Sequence, residues 1–65
     1  MRSDVFSLDE STLTLKDAAR ILAVSVRTIR REIDRRRLIA FRVGGSLRIT
    51  SGELRRYMMQ GVVTV

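Results

Sequence analysis

Residues 14–37 read TLKDAARILAVSVRTIRREIDRRR and decide the fold. The apolar residues of the first part follow the i, i+3, i+4, i+7 spacing of one buried helical stripe: Leu15, Ala18, Ala19 and Leu22. Thr14 lies directly before this stripe and Asp17 follows three residues later, which is the pattern of a capping box. These signals predict a first helix from about Leu15 to Ala23.

A second helix is predicted to begin after only two further residues, Val24 and Ser25. Ser25 is placed to cap it, because its hydroxyl can accept a hydrogen bond from the backbone of the first turn. The apolar stripe of this helix consists of Val26, Ile29 and Ile33, and the pattern ends near Arg37. Two short helices joined by so short a turn form a helix-turn-helix.

The second helix and its end carry six arginines within eleven residues: Arg27, Arg30, Arg31, Arg35, Arg36 and Arg37. At about 100° per residue, Arg27, Arg31 and Arg35 lie with Thr28 on the face opposite the apolar stripe. A single arginine there is most simply a solvated charge. The six arginines together form what we call the cationic ridge. Their density favours binding to DNA, because the guanidinium fork suits phosphates and the edges of guanine.

Composition supports one small globular domain with a polyanionic partner. The 65 residues are 45% hydrophobic and 31% charged, which is a folded rather than a disordered balance. Residues 27–65 carry ten arginines against three acidic residues, a net charge of +7, whereas residues 1–26 have a net charge of −1. A membrane surface is the rival polyanion, but an interfacial helix would show a broad apolar face with aromatic residues.

The sequence lacks the residues that several classes of protein chemistry require. The chain has no cysteine and no histidine, which excludes disulfides, zinc fingers, thiol nucleophiles and imidazole bases. The hydroxyl-rich stretch around Ser11 and Thr12 has no base beside it. No apolar run approaches a membrane span, and residues 1–11 lack the features of a signal peptide. We therefore expect a cytoplasmic protein that is not an enzyme and binds no metal or cofactor.

The remainder of the chain predicts a hairpin and a third helix. Residues 38–43 and 47–49 are β-prone and are separated by the turn Gly44-Gly45-Ser46, which predicts a two-stranded wing. Thr50 and Glu53 repeat the capping pattern before a last helix, with Gly61 as its stop. Its apolar stripe consists of Leu54, Tyr57 and Met58. The predicted fold is α+β, a small winged helix-turn-helix with three helices and a two-stranded hairpin.

This fold is predicted for residues 13–61. Residues 1–12 are interpreted as a flexible N-terminal tail, in which Phe6 and Leu8 are the candidates for attachment to the body. Residues 62–65 are interpreted as a short apolar C-terminal tail.

The arrangement resembles the excisionase-type, MerR-like family of winged helix-turn-helix proteins. The residues that carry the resemblance are Leu13 to Ala19, Leu22, Val24-Ser25, Arg27-Thr28-Ile29, Phe41 to Gly44, Arg48-Ile49-Thr50 and Leu54. The resemblance implies sequence-specific DNA binding, often by phage excisionases that bend attachment-site DNA and direct an integrase toward excision. It also implies DNA contacts from the recognition helix by Ser25, Arg27, Thr28 and Arg31, and from the wing by Arg42, Gly45, Ser46 and Arg48.

The sequence is therefore interpreted as a double-stranded DNA-binding excisionase that acts with an integrase. Arg30, Arg35, Arg36 and Arg37 are added as candidate DNA contacts from their place on the cationic ridge. Head-to-tail self-association on DNA is expected, because no dimerisation helix is present. With no such helix or effector domain in the sequence, a small-molecule effector is not expected. Two alternatives stay open: a small transcription regulator of a phage or prophage, and a protein-interaction module that uses the acidic tail and residues 62–65.

Overall fold

A computed structural model of the chain describes residues 11–63. The elements in chain order are β1 (Thr12–Thr14), α1 (Leu15–Leu22), α2 (Val26–Asp34), β2 (Phe41–Val43), β3 (Ser46–Thr50) and α3 (Ser51–Gln60). The strands form one antiparallel sheet in the order β1-β3-β2. The predicted α+β winged helix-turn-helix is confirmed, with one strand more than expected.

Each helix begins at a hydroxyl cap, as the sequence predicts. Thr14 Oγ1 accepts from the backbone N–H of Asp17 at 2.9 Å, and the Asp17 carboxylate accepts from the backbone N–H of Thr14 at 3.1 Å, so the capping box is complete. The Ser25 hydroxyl caps α2 by accepting from the Thr28 backbone at 3.1 Å. The Thr50 hydroxyl caps α3 in the same way. These bonds satisfy backbone donors that a helix start otherwise leaves unpaired.

The turn between α1 and α2 depends on a left-handed residue. Ala23, which the sequence predicts as the last residue of the first helix, is its C-cap and has a φ of 58°. The Val24 N–H then donates to the Ala19 carbonyl at 2.9 Å. This reversal lets α2 begin after only three residues, at the cost of a backbone conformation that glycine adopts more easily.

The end of α2 differs from the prediction. The helix stops at Asp34 rather than near Arg37, because Arg36 has a φ of 62° and reverses the chain. The Arg36 N–H donates to the Ile33 carbonyl at 2.9 Å and the Arg37 N–H to the Glu32 carbonyl at 3.0 Å. This pair of bonds is the Schellman motif, and an arginine occupies the position that glycine usually fills.

The third strand, β1, was not predicted. Thr12 pairs with Thr50 and Thr14 with Arg48, so the wing is one edge of a three-stranded sheet rather than a separate hairpin. Residue 12, which the sequence analysis assigned to the tail, belongs to this sheet. Phe6 and Leu8, the residues expected to attach the tail, lie outside the described residues.

The turn of the β2–β3 hairpin is formed by Gly44 and Gly45 alone. Ser46, expected as a third turn residue, is the first residue of β3, and residues 38–40, expected in the first strand, precede β2. Val43 pairs with Ser46, which leaves Gly44 and Gly45 as the two central residues. Gly44 has a φ of +60° and Gly45 does not have a positive φ, which is the pattern of a type II′ hairpin turn.

The core lies between the α1–α2 pair, the sheet and α3. Its buried residues are Leu15, Ala18, Ala19, Ile29, Leu38, Ile49 and Leu54. Burial of one aliphatic side chain contributes about 1.5–3 kcal/mol, so these few residues supply most of the stabilisation. Ile33 is only half-buried, and Met58, which was predicted on the buried stripe of α3, is 46% exposed.

Candidate nucleic-acid interface

The second helix presents its arginines to solvent because one isoleucine anchors it. Ile29 is 1% exposed and lies in the core, whereas Arg27, Arg30 and Arg31 are exposed. Arg35, the C-cap, is exposed as well. The amphipathic pattern therefore produces the cationic ridge that the sequence predicts.

The two hydroxyl residues at the start of α2 bond to each other. The Ser25 and Thr28 hydroxyl oxygens are 3.0 Å apart, in addition to the capping bond from the Thr28 backbone. Ser25 is exposed and Thr28 is half-buried. Ser25 and Thr28 thus stabilise the N-terminus of α2, which is the end that a groove-binding helix uses for base contacts.

The structure brings the recognition helix and the wing together at a cleft of about 340 Å³. Its lining residues are Leu15, Arg30, Arg42, Gly45, Ser46, Leu47 and Arg48. Five of these seven were predicted as DNA contacts from two separate segments of the sequence. Arg27 and Arg31 of α2 and its C-cap Arg35 lie outside this lining.

The three arginines of the cleft make it a concentrated positive site. Arg42 is exposed on β2, and Arg48 is half-buried on β3 with its Nη1 donating to the Leu47 carbonyl at 2.9 Å. That bond uses one of the five guanidinium donors of Arg48 and leaves others for an anion. Guanidinium groups from α2, β2 and β3 at one cleft can bind a phosphate bidentately and repel one another when it is absent.

Arg36 and Arg37 differ in how free their charges are. Arg36 is exposed, and its left-handed backbone conformation reverses the chain after α2. Arg37 Nη1 lies 3.7 Å from Glu32 Oε2, so its charge is partly compensated within the protein. Arg36 lies four residues after Glu32, the spacing of a helical ion pair, but the left-handed turn at Arg36 brings Arg37 to this carboxylate instead.

Glu32 is the residue whose role sequence reasoning missed. Glu32 lies on the recognition helix and is only 9% exposed. Its carboxylate accepts a hydrogen bond from the Tyr57 hydroxyl of α3 at 2.9 Å. Burial, followed by this hydrogen bond, raises the pKa of Tyr57 above its ordinary value. The only sequence signal for this contact is an acidic residue next to the apolar stripe of an otherwise basic helix.

A second carboxylate holds the segment that follows α2. Glu53 accepts from the Ile39 backbone N–H at 2.9 Å and from Arg56 at 2.7 and 2.6 Å, rather than closing a capping box with Thr50. Arg56 also donates to the Arg37 carbonyl at 3.1 Å. The hydrogen bonds from Arg56 lower the pKa of Glu53 below its usual range. The end of the recognition helix is therefore fixed to α3 by side-chain bonds.

Two further features bear on chemistry within residues 11–63. No group of three or more acidic, histidine or cysteine side chains in this part of the chain could hold a metal ion. Nor is any of its helices long and apolar enough to cross a membrane.

Comparison with known proteins identifies one family. A family model described as a helix-turn-helix domain matches residues 12–62, which covers the three helices and the whole sheet. No curated protein and no solved structure matches the chain.

Proposed function

The chain belongs to the helix-turn-helix domain family, a DNA-binding family, and from this premise we propose that it is an excisionase. In this role it binds and bends attachment-site DNA and directs an integrase toward excision without itself catalysing a reaction. The observation that carries the proposal is the cleft at which Arg30 of α2 meets Arg42 and Arg48 of the wing. A recognition helix and a wing with one continuous positive surface can contact the major groove and the adjacent backbone together.

Each part of the interface has a separate task in this proposal. Arg27 and Arg31 project from α2 away from the core and contact guanine edges, where a bidentate pair contributes about 1–3 kcal/mol of discrimination. Arg30, Arg42 and Arg48 contact phosphates and fix the register of the helix. Gly45 and Ser46 contact the phosphate backbone from the wing tip.

Residue types limit how specific one protomer can be. The sequence has no asparagine and its single glutamine, Gln60, lies at the end of α3, so the usual bidentate partners of adenine are missing from α2 and the wing. Useful specificity then requires several protomers on adjacent sites, in a head-to-tail arrangement that does not close. Val63 is 81% exposed and is available for such a contact. An array of this kind would bend the duplex.

The test combines bending with recombination. DNA fragments that carry a candidate attachment site at permuted positions are titrated with the protein, and excision by a candidate partner integrase is measured in the same buffer. We expect stepwise cooperative shifts, position-dependent mobility that reports a bend, and excision that depends on the protein.

Arg55→Ala is the control variant, because Arg55 is an exposed arginine of α3 outside the cleft. It should retain bending and excision, whereas Arg42→Ala should reduce both. Independent binding to single sites without a bend would support the small transcription regulator instead. Absence of salt-sensitive DNA binding would support the protein-interaction module.

A further inference from the structure

A larger concave region than the cleft, about 1040 Å³, lies between α2 and α3. Its apolar lining, which we call the apolar groove, includes Leu22, Val24, Ile39, Met58 and Val62. Ile39 is 64% exposed and Val62 62% exposed. Exposed hydrophobic side chains that line one concave region, rather than lying singly on the surface, can be covered by an apolar partner.

Three arginines line the same groove: Arg36, Arg37 and Arg56. Arg37 and Arg56 already bond to Glu32 and Glu53, but each keeps guanidinium donors to spare. Glu32 also lies in this lining, so the groove carries three guanidinium groups against one carboxylate and suits an apolar segment whose neighbouring residues are carboxylates.

The chain itself contains such a segment before the sheet. Residues 4–10 read DVFSLDE, in which three apolar side chains stand among three carboxylates. Residues 1–10 carry one arginine against three acidic residues, a net charge of −2, whereas residues 11–65 have twelve basic and four acidic residues, a net charge of +8. The segment is the part of the sequence whose charge and hydrophobicity both complement the groove.

Topology places the start of this segment within reach of the groove. Ser11 bonds to Ser51, the first residue of α3, through its carbonyl at 2.8 Å and its N–H at 3.3 Å. The groove uses the later turns of the same helix, and Met58 lies seven residues along it, about 10 Å at 1.5 Å per residue. An extended chain covers about 3.3–3.6 Å per residue, so Leu8 and Phe6 can reach about 10 and 17 Å from Ser11.

We propose that residues 4–10 dock into the apolar groove of their own chain. The side chains of Val5, Phe6 and Leu8 cover the exposed apolar residues, and the carboxylates face the arginines. The contact is intramolecular because the attachment at Ser11 keeps the segment at a high effective concentration near the groove.

Paramagnetic broadening tests the proposal in the full chain. The sequence has no cysteine, so Ser3→Cys gives one attachment point for a nitroxide. The methyl signals of Ile39, Met58 and Val62 report on the groove, and those of Ile21 and Val43, which are exposed apolar residues outside its lining, are the controls. We expect severalfold greater loss of intensity in the groove than at the controls.

Two double variants of the labelled chain separate the apolar part of the contact from its charged part. Phe6→Ser with Leu8→Ser should abolish the selective broadening, and Asp9→Asn with Glu10→Gln should weaken it, as high salt should. Equal broadening at groove and control methyls would overturn the proposal, and so would an unchanged pattern in the serine variant. Selective broadening in a mixture of spin-labelled chain and separate isotope-labelled chain would also overturn it, because the occupant would then come from a second copy.

Discussion

The Tyr57 hydroxyl donates a hydrogen bond to Glu32 Oε1 at 2.9 Å and so joins the recognition helix to the third helix. Glu32 lies one turn beyond Thr28, on the same helix that carries the arginine ridge. Because the carboxylate is buried, losing the Tyr57 hydroxyl would leave Glu32 Oε1 without this hydrogen bond, which costs more than losing an exposed bond, even though Arg37 still lies 3.7 Å from Glu32 Oε2. The orientation of α2 therefore depends on α3, an element with no predicted DNA contact.

The first prediction concerns the titration of Tyr57. Its pKa is raised above the ordinary 10.0 by burial and then by the bond to Glu32. A raised pKa means that this stabilisation is complete below pH 10.0 and is lost as pH rises through the folded-state pKa. Glu32→Gln should lower the pKa of Tyr57, and Tyr57→Phe should remove this alkaline loss of stability. Phenolate absorbance measures it cleanly, since the chain has one tyrosine and no tryptophan; an unchanged pKa in the glutamine variant would contradict the assignment.

The second prediction concerns the two left-handed residues. Ala23→Gly and Arg36→Gly should each raise the free energy of unfolding by roughly 1 kcal/mol, because glycine adopts a positive φ without steric cost. Chemical denaturation measures this gain. Both variants relieve the same kind of backbone strain, but only Arg36→Gly also removes a charge. Only Arg36→Gly should therefore flatten the salt dependence of DNA affinity. A loss of stability in Ala23→Gly would show that the turn between α1 and α2 does not need the left-handed conformation.

The third prediction concerns the cleft. Replacing Arg30, Arg42 or Arg48 by alanine should reduce the slope of log affinity against log salt by about 0.9 for each phosphate that is no longer neutralised. Arg37→Ala should change the slope less, because Arg37 is already paired with Glu32. Arg55→Ala is the control, and titrations at several salt concentrations give the slopes. Equal slopes for the wild type and the three cleft variants would place the DNA elsewhere.

The fourth prediction concerns the wing tip. A Cβ added at Gly45 meets no atom within 4 Å, and the φ of Gly45 is not positive, so Gly45→Lys is accommodated without strain. The new ammonium group next to the cleft should tighten DNA binding and steepen the salt slope by about 0.9. Gly44→Lys adds the same charge at a φ of +60° and should lower the melting temperature. Equal stability of the two variants would mean that the turn can rearrange.

The fifth prediction separates recognition from stability on α2. Arg27→Ala and Arg31→Ala should each lose about 1–3 kcal/mol of specific binding and keep the melting temperature, because both side chains are exposed. Ile29→Ala should instead lose about 2–5 kcal/mol of stability, since this residue is fully buried. Ile33→Ala should lose less, because Ile33 is half-buried. Competition with nonspecific DNA and thermal unfolding distinguish the two effects.

Local signals predicted most of the fold. The caps at Thr14, Ser25 and Thr50 depend on residues within one turn, and the hairpin turn depends on two adjacent glycines, so the sequence shows them directly. The end of α2 was misjudged because arginine favours helices and the reversal at Arg36 carries no glycine signal.

The features that the sequence did not predict depend on contacts between residues far apart in the chain. The strand of residues 12–14 is too short to show a period, and its partners lie 34 to 38 residues later in the chain. In the candidate site, helical periodicity predicted that the arginines of α2 would be exposed. The contact between Glu32 and Tyr57 did not, because it depends on how α3 packs against α2.

The pairing of Thr12 with Thr50 has a consequence for the order of folding. The helix-turn-helix closes through contacts between neighbours in sequence, whereas the sheet needs residues from both ends of the domain, and such loop closure is slow. We therefore expect the wing to be completed only after the α1–α2 pair has formed. The arginine ridge of α2 therefore forms early in folding, whereas the cleft between α2 and the wing is complete only when the sheet has closed.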